Sequence, residues 1–223
     1  MSILVYSDKQ TAATAAATLV AAQLIEKPSS VLGIDYDEGL KAVYASLSAM
    51  TQNGMLDWSR AKLLQLCEYA LGDDVTTSVL EQLQLSLYEP IHLLSQQYIV
   101  PPRQSDNWSL SCNEFEESIL DLGGMDLALV TVKDDGSVLF IMADGDIAPI
   151  THVEVYNDKR AVSAGITTLM MARKIVVLVT GKERASVVSK FLKGTVTSDV
   201  PASFLQLHGN ATFLFDEDAA SML

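Results

Sequence analysis

The 223-residue chain is poor in cysteine, histidine and proline, with two, three and six of each. Cys67 and Cys112 stand far apart, so there is no CxxC pair, no zinc-ligand spacing and no disulfide framework. Two unlinked thiols suit a reducing compartment, and the cytoplasm is the expected home. His92, His152 and His208 are scattered and suggest no metal site, and nothing in the sequence calls for a cofactor. Positive charge is also scarce. Fifteen Lys and Arg stand against 28 Asp and Glu, for a net charge of -13. That balance excludes the basic stripe a nucleic-acid binder needs and argues against docking to anionic lipid. The opening MSILVYSDKQ has no basic n-region, so no signal peptide is expected. The Ala-rich stretch Thr11–Ile25 is broken by Thr and Gln and is too short for a membrane span.

What is present is a large apolar share, 49%, with only 19% charged residues, enough for a sizeable core. Ile3–Tyr6 reads as a strand. Ser7 and Gln10 fit a capping box opening a helix over Thr11–Ile25. A strand at Ser30–Ile34 precedes a helix over Glu38–Met50, ended by Asn53-Gly54. Leu63–Cys67 is a further strand, Val75–Leu87 a helix and Tyr98–Val100 a short strand stopped by two prolines. Glu114–Leu122 is helical. Leu127–Val132 is a nearly all-apolar run, as a buried parallel strand requires. Asp134-Asp135-Gly136 marks a turn before a strand at Val138–Met142, and Ile147–Tyr156 contains another strand. Ile166–Ala172 is helical, Ile175–Val179 a second apolar strand, Glu183–Lys193 a helix and Thr212–Phe215 the last strand. Strand and helix alternate almost throughout. The expected architecture is α/β: a doubly wound, mostly parallel Rossmann-like sheet with helices on both faces. With no repeat and no Pro/Gly-rich linker, residues 1–223 read as one domain. Eight of the fifteen cations lie between Lys159 and Lys193, which reads either as solvated helix faces or as a local site for a small anion.

Two late segments carry a resemblance. They are Ala164-Gly-Ile-Thr-Thr-Leu-Met-Met-Ala-Arg-Lys-Ile-Val-Val-Leu-Val-Thr-Gly181 and Pro201-Ala-Ser-Phe-Leu-Gln-Leu-His208. Val31-Leu32-Gly33, Cys67-Glu68-Tyr69, Gly124-Met-Asp-Leu127 and Asp135-Gly136 extend it over most of the chain. Together they resemble the glucosamine-6-phosphate deaminase and galactosamine-6-phosphate isomerase family. The resemblance implies a Rossmann-like fold and amino-sugar 6-phosphates as the ancestral substrate class.

The motifs that carry the family's chemistry depart from its pattern. Where the family has a Thr-Gly-x-Thr-Pro phosphate loop, this chain has Ile34-Asp-Tyr-Asp-Glu-Gly-Leu40. Asp35, Asp37 and Glu38 there put three carboxylates where a dianion would sit. The family's proton-moving Asp, in Asp-Glu-Tyr, is replaced by Cys67, a base only if its pKa is lowered. Glu68 survives beside it. In the ring-opening motif Asp135 and Gly136 match, but the glycines become Thr131 and Lys133. The histidine becomes Ser137, and Asn-Glu-Pro becomes Ile141-Met142-Ala143. The stretch from there to Ala164 is short, which implies loss of the family's lid. The family's phosphate-binding cation after Thr-Gly is matched by Arg184.

The candidate site residues are therefore Asp135 and Glu68 as catalytic groups and Arg184 for phosphate. No metal is implied, and the expected ligand is a small sugar phosphate. Three readings follow. The first is a family protein whose isomerase/deaminase catalysis has decayed. The second is a sugar-phosphate-sensing or protein-binding module without catalysis. The third is an enzyme of altered substrate using Asp135. The sequence does not fix the oligomeric state.

Overall fold

A computed structural model describes residues 1–72, 78–143 and 147–223. In chain order the strands are β1 (Ser2–Tyr6), β2 (Val31–Ile34), β3 (Lys62–Gln65), β4 (Cys67–Tyr69) and β5 (Tyr98–Ile99). They continue with β6 (Leu127–Val130), β7 (His152–Tyr156), β8 (Lys159–Ser163), β9 (Ile175–Val179) and β10 (Ala211–Asp216). The helices are α1 (Lys9–Glu26), α2 (Lys41–Gln52), α3 (Val79–Leu83), α4 (Trp108–Asp121), α5 (Ile166–Met170) and α6 (Ala185–Lys193).

Seven strands form one parallel sheet in the order β1-β10-β9-β6-β2-β3-β5. This is the expected Rossmann-like α/β fold. Every residue of β2, β6 and β9 is buried, which is why these strands read as unbroken apolar runs rather than alternating ones. From β2 the chain moves outward through β3 to β5. It then returns to β6 beside β2 and moves outward the other way through β9 to β10. Strand order reverses between β2 and β6, and the loops leaving their carboxyl ends diverge. A crevice opens at such a reversal in doubly wound sheets.

Several boundaries differ from the sequence expectation. Asp8, not Ser7, caps α1. Its carboxylate accepts from the Thr11 amide at 2.8 Å, and the Ser7 hydroxyl donates to it at 2.8 Å. A charged acceptor also suits the positive helix end, and these bonds hold the Asp8 carboxyl down at about 2. Helix α4 starts at Trp108, six residues before Glu114, because Asn107 caps it through the Leu110 amide. The expected helix over Val75–Leu87 appears as α3 followed by a π-helical turn, Gln84–Tyr88; residues 75–77 lie outside the described residues. The strand expected at Val138–Met142 is instead a tight bend, with Leu139 at φ +56° and Val138 bridged to Ile141. Its apolar run reflects burial alone, and burial does not distinguish a strand from a buried bend.

The strand expected over Leu63–Cys67 divides at Leu66. Its second part, β4, joins a three-stranded antiparallel sheet, β4-β8-β7, that the sequence did not suggest. The β7–β8 hairpin turns through Asn157 and Asp158, at φ +51° and +60°. A two-residue turn with both φ positive suits a hairpin, but Asn-Asp lacks the glycine that usually signals one. This small sheet stands over the carboxyl end of β3 and forms one wall of the crevice.

Gly165, which opens α5, lies against the backbone of Pro149 and Ile150, and an added Cβ would meet it at 2.4 Å. Backbone cannot swing aside as a side-chain tip can. Gly165→Ala is expected to lower stability by about 2–3 kcal/mol. Gly209→Ala, into open space, should change it by less than about 0.5 kcal/mol. Urea midpoints at unchanged slope check both.

Candidate functional site

Asp35 is the first residue after β2. Its amide donates to Leu129 O at 3.1 Å and carries the β2–β6 ladder one step further. The side chain turns inward and is 1% exposed. Its carboxylate accepts from the Tyr36 amide at 2.7 Å, the Thr131 amide at 3.4 Å and the Cys67 thiol at 3.7 Å. The Tyr44 hydroxyl donates to the Asp35 carbonyl. Burial pushes the Asp35 carboxyl up from 3.8 to about 6; Lys133 pulls it down and Asp37 pushes it further up. Cys67 is equally buried. Burial first, and then the charge of Asp35, push its thiol well above the usual range, so it stays protonated at neutral pH.

Arg184 reaches the crevice from the far side. Strand β9 is followed by Thr180-Gly181. Gly181, at φ +102°, turns the chain into the 3-10 turn Lys182–Arg184 that leads to α6. The guanidinium is held from three sides. Nε donates to Asp134 Oδ1 at 3.0 Å, Nη1 to Thr131 Oγ1 at 3.1 Å and Nη2 to Asp37 Oδ1 at 3.3 Å. Asp37 Oδ1 also accepts from the Gly39 amide at 2.9 Å, capping the 3-10 turn Glu38–Leu40. Glu38 pairs with Lys41 at 2.7 Å. The three acids after β2 therefore have three fates. Asp35 is buried, Asp37 is bound to Arg184 and Glu38 is paired at the surface.

The other two sequence candidates lie elsewhere. Glu68 is fully buried in β4. One carboxylate oxygen accepts from the Tyr69 and Val79 amides at 2.8 and 2.9 Å. The other accepts from Leu80 N at 2.8 Å, Ser78 Oγ at 2.9 Å and Gln65 Nε2 at 3.1 Å. It thus ties the start of α3 to β4, with no oxygen left facing the crevice. Asp135 is exposed in the turn after β6, and its carboxylate accepts from the Ser137 amide at 2.8 Å. The structure brings Arg184 to the crevice and does not bring Glu68 and Asp135 together there.

A cleft of about 290 Å³ opens between the loop after β2 and the small sheet. Tyr36, Asp37, Tyr69, Lys133, Phe140 and Tyr156 line it, with Ser78 and Gln82 at one side. The Phe140 ring stacks on Tyr156 at 4.6 Å and tilts against Tyr69 at 4.9 Å. Lys133 Nζ lies 4.0 Å from the Tyr156 ring centre and 4.8 Å from that of Phe140. Sequence reasoning noted Lys133 only as a lost glycine and did not single out the aromatic residues. A cation three residues after a fully apolar central strand was the available signal. Among the described residues no group of three His, Cys, Asp or Glu is placed to hold a metal, and no helix is long and apolar enough to cross a membrane.

The family model of glucosamine-6-phosphate isomerases/6-phosphogluconolactonase matches residues 38–214, more than half of the chain. The chain belongs to this family. It is 30% identical over 241 aligned positions to a glucosamine-6-phosphate deaminase of Clostridium novyi (strain NT), covering all of both chains. It is 28% identical to that of Bacillus pumilus (strain SAFR-032), again over all of both. A solved monomeric glucosamine-6-phosphate deaminase superposes over the full length of both chains with TM-score 0.93 and 26% identity. A 6-phosphogluconolactonase from Trypanosoma brucei shares the fold, with TM-score 0.84 and 19% identity over all of this chain and 98% of that one. The family's fold thus extends over the whole chain, including the crevice.

The raised carboxyl of Asp35 has a consequence for stability. Its protonated form is favoured by folding, so its contribution is fully present below 3.8 and is lost as pH rises to about 6. The shift corresponds to roughly 3 kcal/mol of penalty above that range. Asp35→Asn is expected to raise the melting temperature at pH 7 by several degrees and to flatten the stability profile between pH 4 and 6. Thermal unfolding across that range measures both.

Proposed function

We propose that this chain is a catalytically degenerate member of the amino-sugar-phosphate isomerase/deaminase family. In this reading it is a cytoplasmic protein of carbohydrate metabolism that takes a small sugar-phosphate-class ligand but does not turn it over at an enzyme's rate. One observation carries this. Cys67 stands where the resemblance places the acid that moves the proton between sugar carbons, and burial keeps its thiol protonated. A protonated thiol takes no proton from carbon. Ser137 and Met142, in place of the histidine and acid of the ring-opening motif, point the same way. Ser137 is buried and its hydroxyl accepts from the Ala143 amide at 3.3 Å.

An enzyme of altered chemistry is the second reading. The observation favouring it is a buried carboxyl at the strand reversal, held near pH 6, where an acid–base group would be set. That group is Asp35, whereas the sequence candidate Asp135 lies in the exposed turn.

Ammonia release from glucosamine 6-phosphate and galactosamine 6-phosphate tests the proposal. The expected rate is at or below roughly one ten-thousandth of that of a deaminase relative assayed in parallel, as loss of acid–base groups implies. Cys67→Asp alone should not restore it, since Ser137 and Met142 remain. A rate comparable to the relative's that Asp35→Asn or Asp135→Asn abolishes would overturn the reading.

A further inference from the structure

The crevice holds two cations in different circumstances. Arg184 meets two carboxylates and a hydroxyl through Nε, Nη1 and Nη2. An incoming anion would have to displace Asp37 and Asp134 and then sit beside both. Lys133 has no ion pair or hydrogen bond to its ammonium among the described residues and rests on the Phe140 and Tyr156 rings. A ring face attracts a cation without neutralising it, so the ammonium keeps its N–H donors for a ligand.

The rest of the cleft narrows the ligand. Its volume, about 290 Å³, lies at the lower end for small-molecule sites and suits one monosaccharide. Tyr36, Tyr69 and Tyr156 give the lining an aromatic character that suits the C–H side of a sugar ring. Gln82, Asn157 and the Glu38 carboxylate offer partners for hydroxyls, and the Tyr36 hydroxyl already meets Gln82 Oε1 at 3.0 Å.

We infer that anion recognition in this crevice has moved from Arg184 to Lys133, and that the aromatic cleft takes a monosaccharide bearing one phosphate or carboxylate. This rests on the proposed function only in that the ligand is bound rather than turned over. The salt bridges from Asp37 and Asp134 engage the Arg184 guanidinium, which lines a neighbouring cavity rather than the aromatic cleft, and the β7–β8 hairpin supplies one wall of that cleft.

Calorimetric titration with glucose 6-phosphate, glucuronate, glucose and inorganic phosphate tests the assignment. Wild-type protein should bind at least one of the two anionic sugars saturably and at least tenfold more tightly than glucose or inorganic phosphate. Comparing glucose 6-phosphate with glucuronate tells which anionic group is taken. Lys133→Met, which keeps the stem on the rings, should weaken the anionic sugar at least tenfold, and Lys133→Arg should restore most of the loss. Unchanged melting temperatures show that the variants fold. Three results overturn the inference: no saturable binding by wild type, unchanged affinity in Lys133→Met, or a loss seen only in Arg184→Met. Ammonia release from glucosamine 6-phosphate, followed on the same preparations, separates the two claims. Turnover overturns the degenerate reading alone, and missing Lys133 dependence overturns this inference alone.

Discussion

The crevice depends on the hold that Asp37, Asp134 and Thr131 keep on Arg184. These residues come from the loops after β2, β6 and β9, the three strands that flank the reversal in sheet order. A planar guanidinium can serve three acceptors in different directions, which a lysine ammonium does less specifically. Thr131 extends the network into the core by donating to Leu178 O at 2.6 Å. The arginine side chain is only 14% exposed and Asp37 is 19% exposed, so that pair is poorly screened, whereas Asp134 is largely exposed and its pair lies open to water. The clamp uses internal carboxylates where the family resemblance places the phosphate of a ligand.

The second constraint is the buried acid behind the clamp. Asp35 and Cys67 touch at 3.7 Å, both almost fully buried. Burial and then the charge of Asp35 raise the Cys67 thiol, while burial itself raises Asp35, and the thiol, the weaker acid, remains neutral. Lys133 lies near enough to draw Asp35 partly back toward its ionised form. The lysine therefore connects the buried pair to the open cleft without closing an ion pair with either.

Much of this fold was legible in the sequence, because a parallel sheet buried on both faces leaves long apolar runs. Leu127–Val130 and Ile175–Val179 are such runs, and they are the centre of the sheet. What the sequence concealed was the small antiparallel sheet. Strand β4 continues from β3 after one residue and its pattern does not change. Strand β8 opens with Lys159 and Arg160 and looks like a charged loop. The apolar run at Val138–Ile141 misled in the opposite direction, since it is buried without being extended. The site was partly legible. Arg184 was found because its motif is local. Tyr69 and Tyr156 are brought together by the β4-β8-β7 pairing and meet Lys133 and Phe140 from the segment after β6, and no spacing along the chain announces that. Glu68 reads as a catalytic candidate from its motif because its partners, the amides at the start of α3, are main-chain groups that sequence does not show.

In the proposed reading, these two halves of the structure account for a departure from the family at the loops rather than in the central strands. The central strands are constrained by packing on both faces. At Gly33 even a methyl group would come within 2.6 Å of Met125 Sδ. The loops at their carboxyl ends carry no such load, provided their charges are balanced. The acids after β2 meet that condition locally, through Arg184 and Lys41. With Arg184 satisfied internally, Lys133 lines the cleft as a cation resting on rings rather than on carboxylates. The hairpin turn at Asn157-Asp158, by placing Tyr156 against Phe140, sets the position of that charge as directly as the central strands set that of Asp35.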